Sequence, residues 1–140
     1  MDVLKRYEII KEFCTNTVRL RLLSNGIIHY SFLPNSIVCE VEHQINHDAI
    51  VNFTQNIKHF FLVDSGEFVD LTPEARTLVR KLEEIAPIAA RAVVVQTLAE
   101  RILMNFYITF HKPIVSTKVF SNHETALEWI ENKKALTISN

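Results

Sequence analysis

Alternating apolar and polar side chains mark the first elements of the chain. Residues 18–23 nearly alternate, as a half-buried strand does. Asn25 and Gly26 follow and supply a turn, because both residue types tolerate positive φ. Residues 27–33 form the return strand, which ends at Pro34. The pattern predicts an antiparallel hairpin, whereas residues 3–14 fit either a short helix or an edge strand.

Short apolar runs continue along the rest of the chain. They predict four further strands, within residues 37–41, 59–63, 92–95 and 115–120. The run at 59–63 is continuously apolar, which is typical of a strand covered on both faces of a parallel sheet.

Capping patterns predict a helix after each of these strands. Asn46 is the expected N-cap of the first helix, and Thr72 before Pro73 begins the second. Thr97 and Ser121 each precede a glutamate by three residues, as in a capping box. The predicted fold is α/β: an N-terminal antiparallel hairpin followed by β-α repeats in a mostly parallel mixed sheet, with about four helices.

Composition narrows the class of protein. The chain has 140 residues, a net charge of -1 and 48% hydrophobic residues, which predicts a single domain over residues 1–140. The balanced charge argues against nucleic-acid binding. The two glycines, Gly26 and Gly66, are too few and too far apart for a phosphate-binding glycine loop.

The expected location is the cytoplasm. The N-terminus lacks the apolar run of a signal peptide, and no apolar stretch is long enough to span a membrane. Cys14 and Cys39 are expected to be free thiols.

Candidate chemical groups are sparse. One cluster combines thiol, carboxylate and imidazole groups: Cys39, Glu40, Glu42, His43, His47 and Asp48. A cap at Asn46 would place the two histidines on different elements, so no metal site is expected there. Asp64 and Ser65 follow a buried strand, where α/β sheets place ligands. No G-x-S-x-G motif surrounds Ser65. The protein is therefore expected to be no enzyme and to use no cofactor; catalysis would require Asp64, Asp70 and a histidine in one cleft.

The helix over residues 98–110 is apolar on more than one side. Such a helix is expected to be buried on several sides, to pair with a second copy, or to line a pocket for an apolar ligand. The residues singled out for an interface or pocket are Ile102, Phe106, Tyr107, Phe110 and His111. His111 and Lys112 also complement the helix dipole, or would suit an acidic partner.

The order of elements resembles the STAS domain, the fold of bacterial anti-sigma-factor antagonists. Four segments carry the resemblance: Asn105–Tyr107, Phe110–Pro113, Thr117–Phe120 and Glu124–Ile130. They are most similar to a poorly characterised STAS-like group that is sometimes linked to the CRAL-TRIO lipid-transfer fold. The looser match in element order extends over about 17–133, which the resemblance implies as the core of a single STAS-like domain. The resemblance implies a non-enzymatic bacterial module that binds a protein partner or a second copy of itself. The alternative is a small binding protein for a lipid or another apolar ligand.

The resemblance also points to one regulatory loop. In antagonists of this fold, the loop before the second helix reads Asp-Ser-Ser/Thr-Gly, and one serine is phosphorylated. Here Asp70 matches the aspartate, Leu71 stands in place of the phosphorylated serine, and Thr72 is the hydroxyl at the helix start. The candidate regulatory or ligand loop therefore comprises Asp64, Ser65, Asp70 and Thr72.

Overall fold

The computed structural model describes residues 3–139. Its strands are β1 (Ile9–Cys14), β2 (Val18–Leu23), β3 (Ile28–Phe32), β4 (Ile37–Val38), β5 (His59–Asp64), β6 (Asp70–Leu71), β7 (Ile88–Val94) and β8 (Ser116–Phe120). Its α-helices are α1 (Glu40–Thr54), α2 (Pro73–Leu82), α3 (Leu98–His111) and α4 (His123–Ser139), and a 3-10 helix spans Val3–Arg6.

Six strands form one sheet in the order β1-β2-β3-β5-β7-β8. The pairs β1–β2 and β2–β3 are antiparallel, whereas β3–β5, β5–β7 and β7–β8 are parallel. The predicted fold class is confirmed: a hairpin precedes β-α repeats in a mixed, mostly parallel sheet with four α-helices. The ambiguous N-terminal segment forms the 3-10 helix and then an edge strand.

The two faces of the sheet are covered by different helices. On one face α1 packs Ala49, Ile50 and Phe53 against β2, β3 and Phe61 of β5. On the other face α4 packs Ala126, Leu127 and Ile130 against β5, β7 and β8. Successive strand residues therefore alternate between the two cores, as the pleat of a sheet requires.

Strand β4 lies within the predicted segment 37–41 but does not belong to the main sheet. It has two residues and pairs with β6 in a separate parallel sheet, with Ile37 opposite Asp70 and Val38 opposite Leu71. This small sheet joins the segment before α1 to the segment before α2.

The predicted start of α1 is wrong. The helix begins at Glu40 with Cys39 as N-cap, and Asn46 lies fully buried inside it. Asn46 bonds to threonines 31 and 29 residues away instead of capping its own helix. His43 and His47 consequently share one helix at a spacing of four residues, so the argument that separated them fails.

The other predicted caps have mixed outcomes. The hydroxyl oxygens of Thr72 and Thr97 accept hydrogen bonds from the backbone N–H groups of Ala75 and Glu100, as predicted. Ser121 is not the cap of α4. The side-chain oxygen of Asn122 accepts the Thr125 N–H instead, at 2.9 Å.

Helix α3 has no buried residue, so the expectation that it is buried on several sides is wrong. It lies beside β7 and β8, where the partly buried Met104 and Ile108 pack against Val93 and Val119. Most of its other large apolar side chains are exposed to solvent. Within residues 3–139, no helix is both long enough and apolar enough to cross a lipid bilayer.

Candidate functional site

Two histidines and one aspartate meet on the α4 side of the sheet. His29 lies on β3, Asp64 is the last residue of β5, and His123 is the first residue of α4. Strands β3 and β5 are parallel neighbours with Ser31 opposite Asp64, so the Asp64 side chain lies on the same face as that of His29. Asp64 ends β5 and His123 lies shortly after β8, at the carboxyl edge where open α/β sheets place their ligands, whereas His29 lies near the start of β3.

The Nε2 atoms of both rings face the Asp64 carboxylate. His29 Nε2 lies 2.5 Å from Asp64 Oδ2, and His123 Nε2 lies 2.8 Å from Oδ1 and 3.0 Å from Oδ2. The Ser31 hydroxyl lies 3.1 Å from His29 Nε2. The two rings are nearly perpendicular, at 82° with centroids 6.0 Å apart.

The carboxylate is held in its charged form. Only 15% of the Asp64 side chain is exposed. Burial by itself raises the pKa of the Asp64 carboxyl, but the hydrogen bonds and positive charge of His123 and His29 outweigh it and lower this pKa to about 2. The site therefore holds a partly desolvated negative charge between two imidazoles.

The triad borders a cleft of about 350 Å³. The rest of its lining combines apolar and basic side chains: Leu4, Lys5, Ile9, Arg21 and Leu23. Arg21 is ion-paired with Glu12 at 3.0 Å. A small polar or anionic molecule in this cleft would lie next to the imidazoles.

Two kinds of chemistry are open to this arrangement. The imidazoles and the carboxylate can share and transfer protons. Imidazole nitrogens and a carboxylate oxygen are also ligands for divalent transition metals. Within the described part of the chain, one group of at least three such side chains is close enough together to hold an ion, and it consists of His29, Asp64 and His123.

The candidate regulatory loop is not a single site. Asp64 belongs to the triad, whereas the Ser65 hydroxyl donates to the Glu100 carboxylate at 3.1 Å. Asp70 pairs in β6, and Thr72 caps α2. Catalysis was expected to require Asp64, Asp70 and a histidine in one cleft. Two histidines contact Asp64, whereas Asp70 is not part of the cleft lining.

A second candidate site is an apolar surface on α3. We call it the α3 face, and it consists of five side chains that are each more than half exposed: Leu98, Ile102, Leu103, Phe106 and Phe110. The Phe106 and Phe110 rings lie 4.4 Å apart. Of the other predicted interface residues, Tyr107 and His111 stack at 4.7 Å, and His111 Nδ1 lies 3.1 Å from an Arg80 nitrogen.

Sequence reasoning missed His29 and His123. His29 is a polar side chain at a buried position of β3, which is itself a signal, because a buried polar group needs a partner. His123 begins α4 three residues after the end of β8, and that position is a signal for a site at the carboxyl edge of a sheet. Their convergence on Asp64 depended on the strand order, which the sequence did not specify.

The comparisons with known proteins support the architecture. A family model described as domain of unknown function DUF7793 matches residues 21–134, and the chain belongs to this family. None of the curated proteins matches the chain. A solved structure, an uncharacterized DUF3478-family protein with a SpoIIAA-like fold from Shewanella loihica PV-4, is similar with a TM-score of 0.55. The two are 14% identical, over 88% of this chain and 92% of that one. The resemblance to the STAS domain is thereby confirmed for the fold.

Proposed function

We propose that this member of the DUF7793 family is a STAS-like interaction module whose α3 face binds a second copy of the chain. The observation that carries the proposal is the exposure of that face. Leu98, Ile102, Phe106 and Phe110 recur every four residues and are 58–73% exposed. Residues at this spacing lie along one side of a helix, so they form a continuous apolar strip.

An exposed strip of this kind favours a protein partner. Removing apolar surface from water is the dominant favourable contribution to most protein–protein association. Aromatic side chains are enriched at the centres of protein interfaces, and the adjacent Phe106 and Phe110 rings supply them. The lining of the triad cleft and that of a cleft between α1 and α2 include no α3 residue. The strip is an open apolar surface of the kind that a protein partner covers.

Charge at the two ends of α3 favours self-association. Glu100 lies in the first turn, and His111 and Lys112 lie at the C-terminal end. Arg101 follows Glu100, so the N-terminal end carries both signs of charge, whereas the C-terminal end is basic. When two copies pair antiparallel about a twofold axis, the two basic ends lie apart, and each lies beside the Glu100 end of the other helix. The helix dipoles also oppose each other favourably in this arrangement.

The test compares two isoleucines of equal exposure. Ile102 is 62% exposed on the α3 face, and Ile57 is 61% exposed after α1. We expect sedimentation equilibrium of the wild type and of Ile57→Glu to give twice the chain mass of 16.2 kDa. Ile102→Glu should weaken dimerisation at least tenfold, because the carboxylate would be buried in an apolar interface.

Two results would contradict the proposal. A wild type that stays monomeric at high micromolar concentration excludes self-association. A dimer that Ile102→Glu leaves intact places the interface on another surface. Circular dichroism of both variants checks that the fold is retained.

A further inference from the structure

We propose that His29, Asp64 and His123 form a binding site for one divalent transition-metal ion of the zinc type. Three protein ligands would hold the ion, and its remaining coordination position would face the cleft. This site is independent of the α3 face and of dimerisation.

The donor atoms already converge. One nitrogen of each ring and a carboxylate oxygen of Asp64 lie within 4.8 Å of one another. Zinc binds imidazole nitrogen at about 2.0–2.1 Å, so its tetrahedral ligands lie about 3.3 Å apart. The nitrogen-to-oxygen distances of 2.5, 2.8 and 3.0 Å therefore need only small side-chain movements to admit an ion.

The ligands sit on rigid elements. His29 and Asp64 belong to adjacent strands in the centre of the sheet, and His123 begins the helix that packs on them. The His29 side chain is 9% exposed and that of Asp64 is 15% exposed. Little ordering entropy is left to lose on binding, which favours affinity.

Electrostatics also favours a cation. A carboxylate that is largely removed from water is costly unless an opposite charge compensates it. The two imidazoles reach the carboxylate through hydrogen bonds, and a divalent ion held between the three side chains would supply a full counter-charge. Three protein ligands with one open position is the arrangement of catalytic zinc sites, which differs from the closed set of four in structural ones.

The cleft determines what can occupy the open position. Lys5 and Arg21 are part of its lining, and the Arg21 guanidinium lies 3.0 Å from Glu12. Basic groups beside the ion favour water or a small anion, such as a carboxylate or phosphate group, as the fourth ligand.

The same geometry would also suit a His–Asp–His network that is held by hydrogen bonds without a metal. Zinc titration distinguishes the metal site from this network.

For the titration, the full chain is treated with EDTA, dialysed, and titrated with zinc chloride by calorimetry. We expect the wild type to bind one equivalent. Asp64→Asn and His123→Gln should each weaken binding at least tenfold, because each removes one of three ligands. Zinc should raise the unfolding temperature of the wild type, and EDTA should reverse that shift.

Three variants serve as controls. Asp70→Asn removes an exposed aspartate, His59→Gln removes a histidine at the opposite end of β5, and His43→Gln breaks the histidine pair of α1. All three should bind zinc like the wild type.

Two results would overturn the site: no saturable zinc binding by the wild type, or binding that Asp64→Asn leaves unchanged. Should a ligand variant fail to fold, nitrogen NMR of the wild type decides the matter. Zinc must then shift the Nε2 resonances of two of the six histidines, and a spectrum without such shifts overturns the proposal.

Discussion

Asn46 joins α1 to the hairpin through side-chain hydrogen bonds at a fully buried position. Its Oδ1 accepts the Thr15 hydroxyl at 2.7 Å, and its Nδ2 donates to the Thr17 hydroxyl oxygen at 2.9 Å. Tyr30 is a third hydrogen-bond partner of Asn46, and burial raises the pKa of its phenol. The polar atoms of this amide are therefore paired inside the core, as a buried polar group requires.

Replacing this amide should destabilise the fold. Asn46→Ala leaves a cavity and removes the partner of two threonine hydroxyls, so we expect a loss of about 2–3 kcal/mol in the free energy of unfolding. Asn52→Ala, on the exposed side of the same helix, should change it by less than about 0.5 kcal/mol. Urea unfolding followed by circular dichroism measures both. Equal losses in the two variants would show that the hydrogen bonds of the Asn46 amide do not contribute to the free energy of unfolding.

His43 should make stability depend on pH. Burial lowers the pKa of His43 to about 4, with further lowering from the charges of His47 and Arg91. Between pH 6.5 and 4 the unfolded chain then binds a proton that the folded chain does not, so acid favours unfolding. When the pH falls from 7.5 to 5, the free energy of unfolding of His43→Gln should decrease by roughly 1–2 kcal/mol less than that of the wild type. Urea unfolding at both pH values measures the difference. Parallel pH profiles of the two proteins would contradict this.

Helix starts were predictable only where the cap is local. The hydroxyl oxygens of Thr72 and Thr97 accept hydrogen bonds from N–H groups three residues later in the chain. A cap of this kind can be recognised in the sequence, because all its residues are close together. Cys39 caps α1 without a side-chain hydrogen bond, so no capping residue marked that start. At α4 the capping-box spacing pointed to Ser121, whereas the cap is its neighbour Asn122, a residue type that is equally suited to that position.

The two adjacent residues before α4 should respond differently to truncation. Asn122→Ala removes the cap and should lower the free energy of unfolding by about 1 kcal/mol. Ser121→Ala should cost less than half of that, because its hydroxyl only accepts an exposed bond from Arg101. Thermal unfolding compares the two variants. A larger loss for Ser121→Ala would assign the cap to Ser121.

At the scale of the whole molecule, the sequence was informative about element order and much less about which elements meet. Alternation and apolar runs identified the hairpin and the β-α repeats, because those patterns arise within short segments. His29 and His123 are brought to Asp64 by strand pairing and by the docking of α4, and no short segment records either event. The exposure of α3 likewise depends on its place beside the edge strand β8, and its apolar composition alone suggested burial.

The small β4–β6 sheet changes how the segment before α2 can be reached by other proteins. Asp70 N–H donates to Ser36, Thr72 N–H donates to Val38, and the Thr72 hydroxyl is already occupied as a cap. Modifying enzymes and proteases generally need an extended backbone with unpaired amides. Here such access requires the sheet to open first, which would release the starts of α1 and α2 together. A covalent modification or a cleavage in this segment would thus change the structure at the starts of both helices at once.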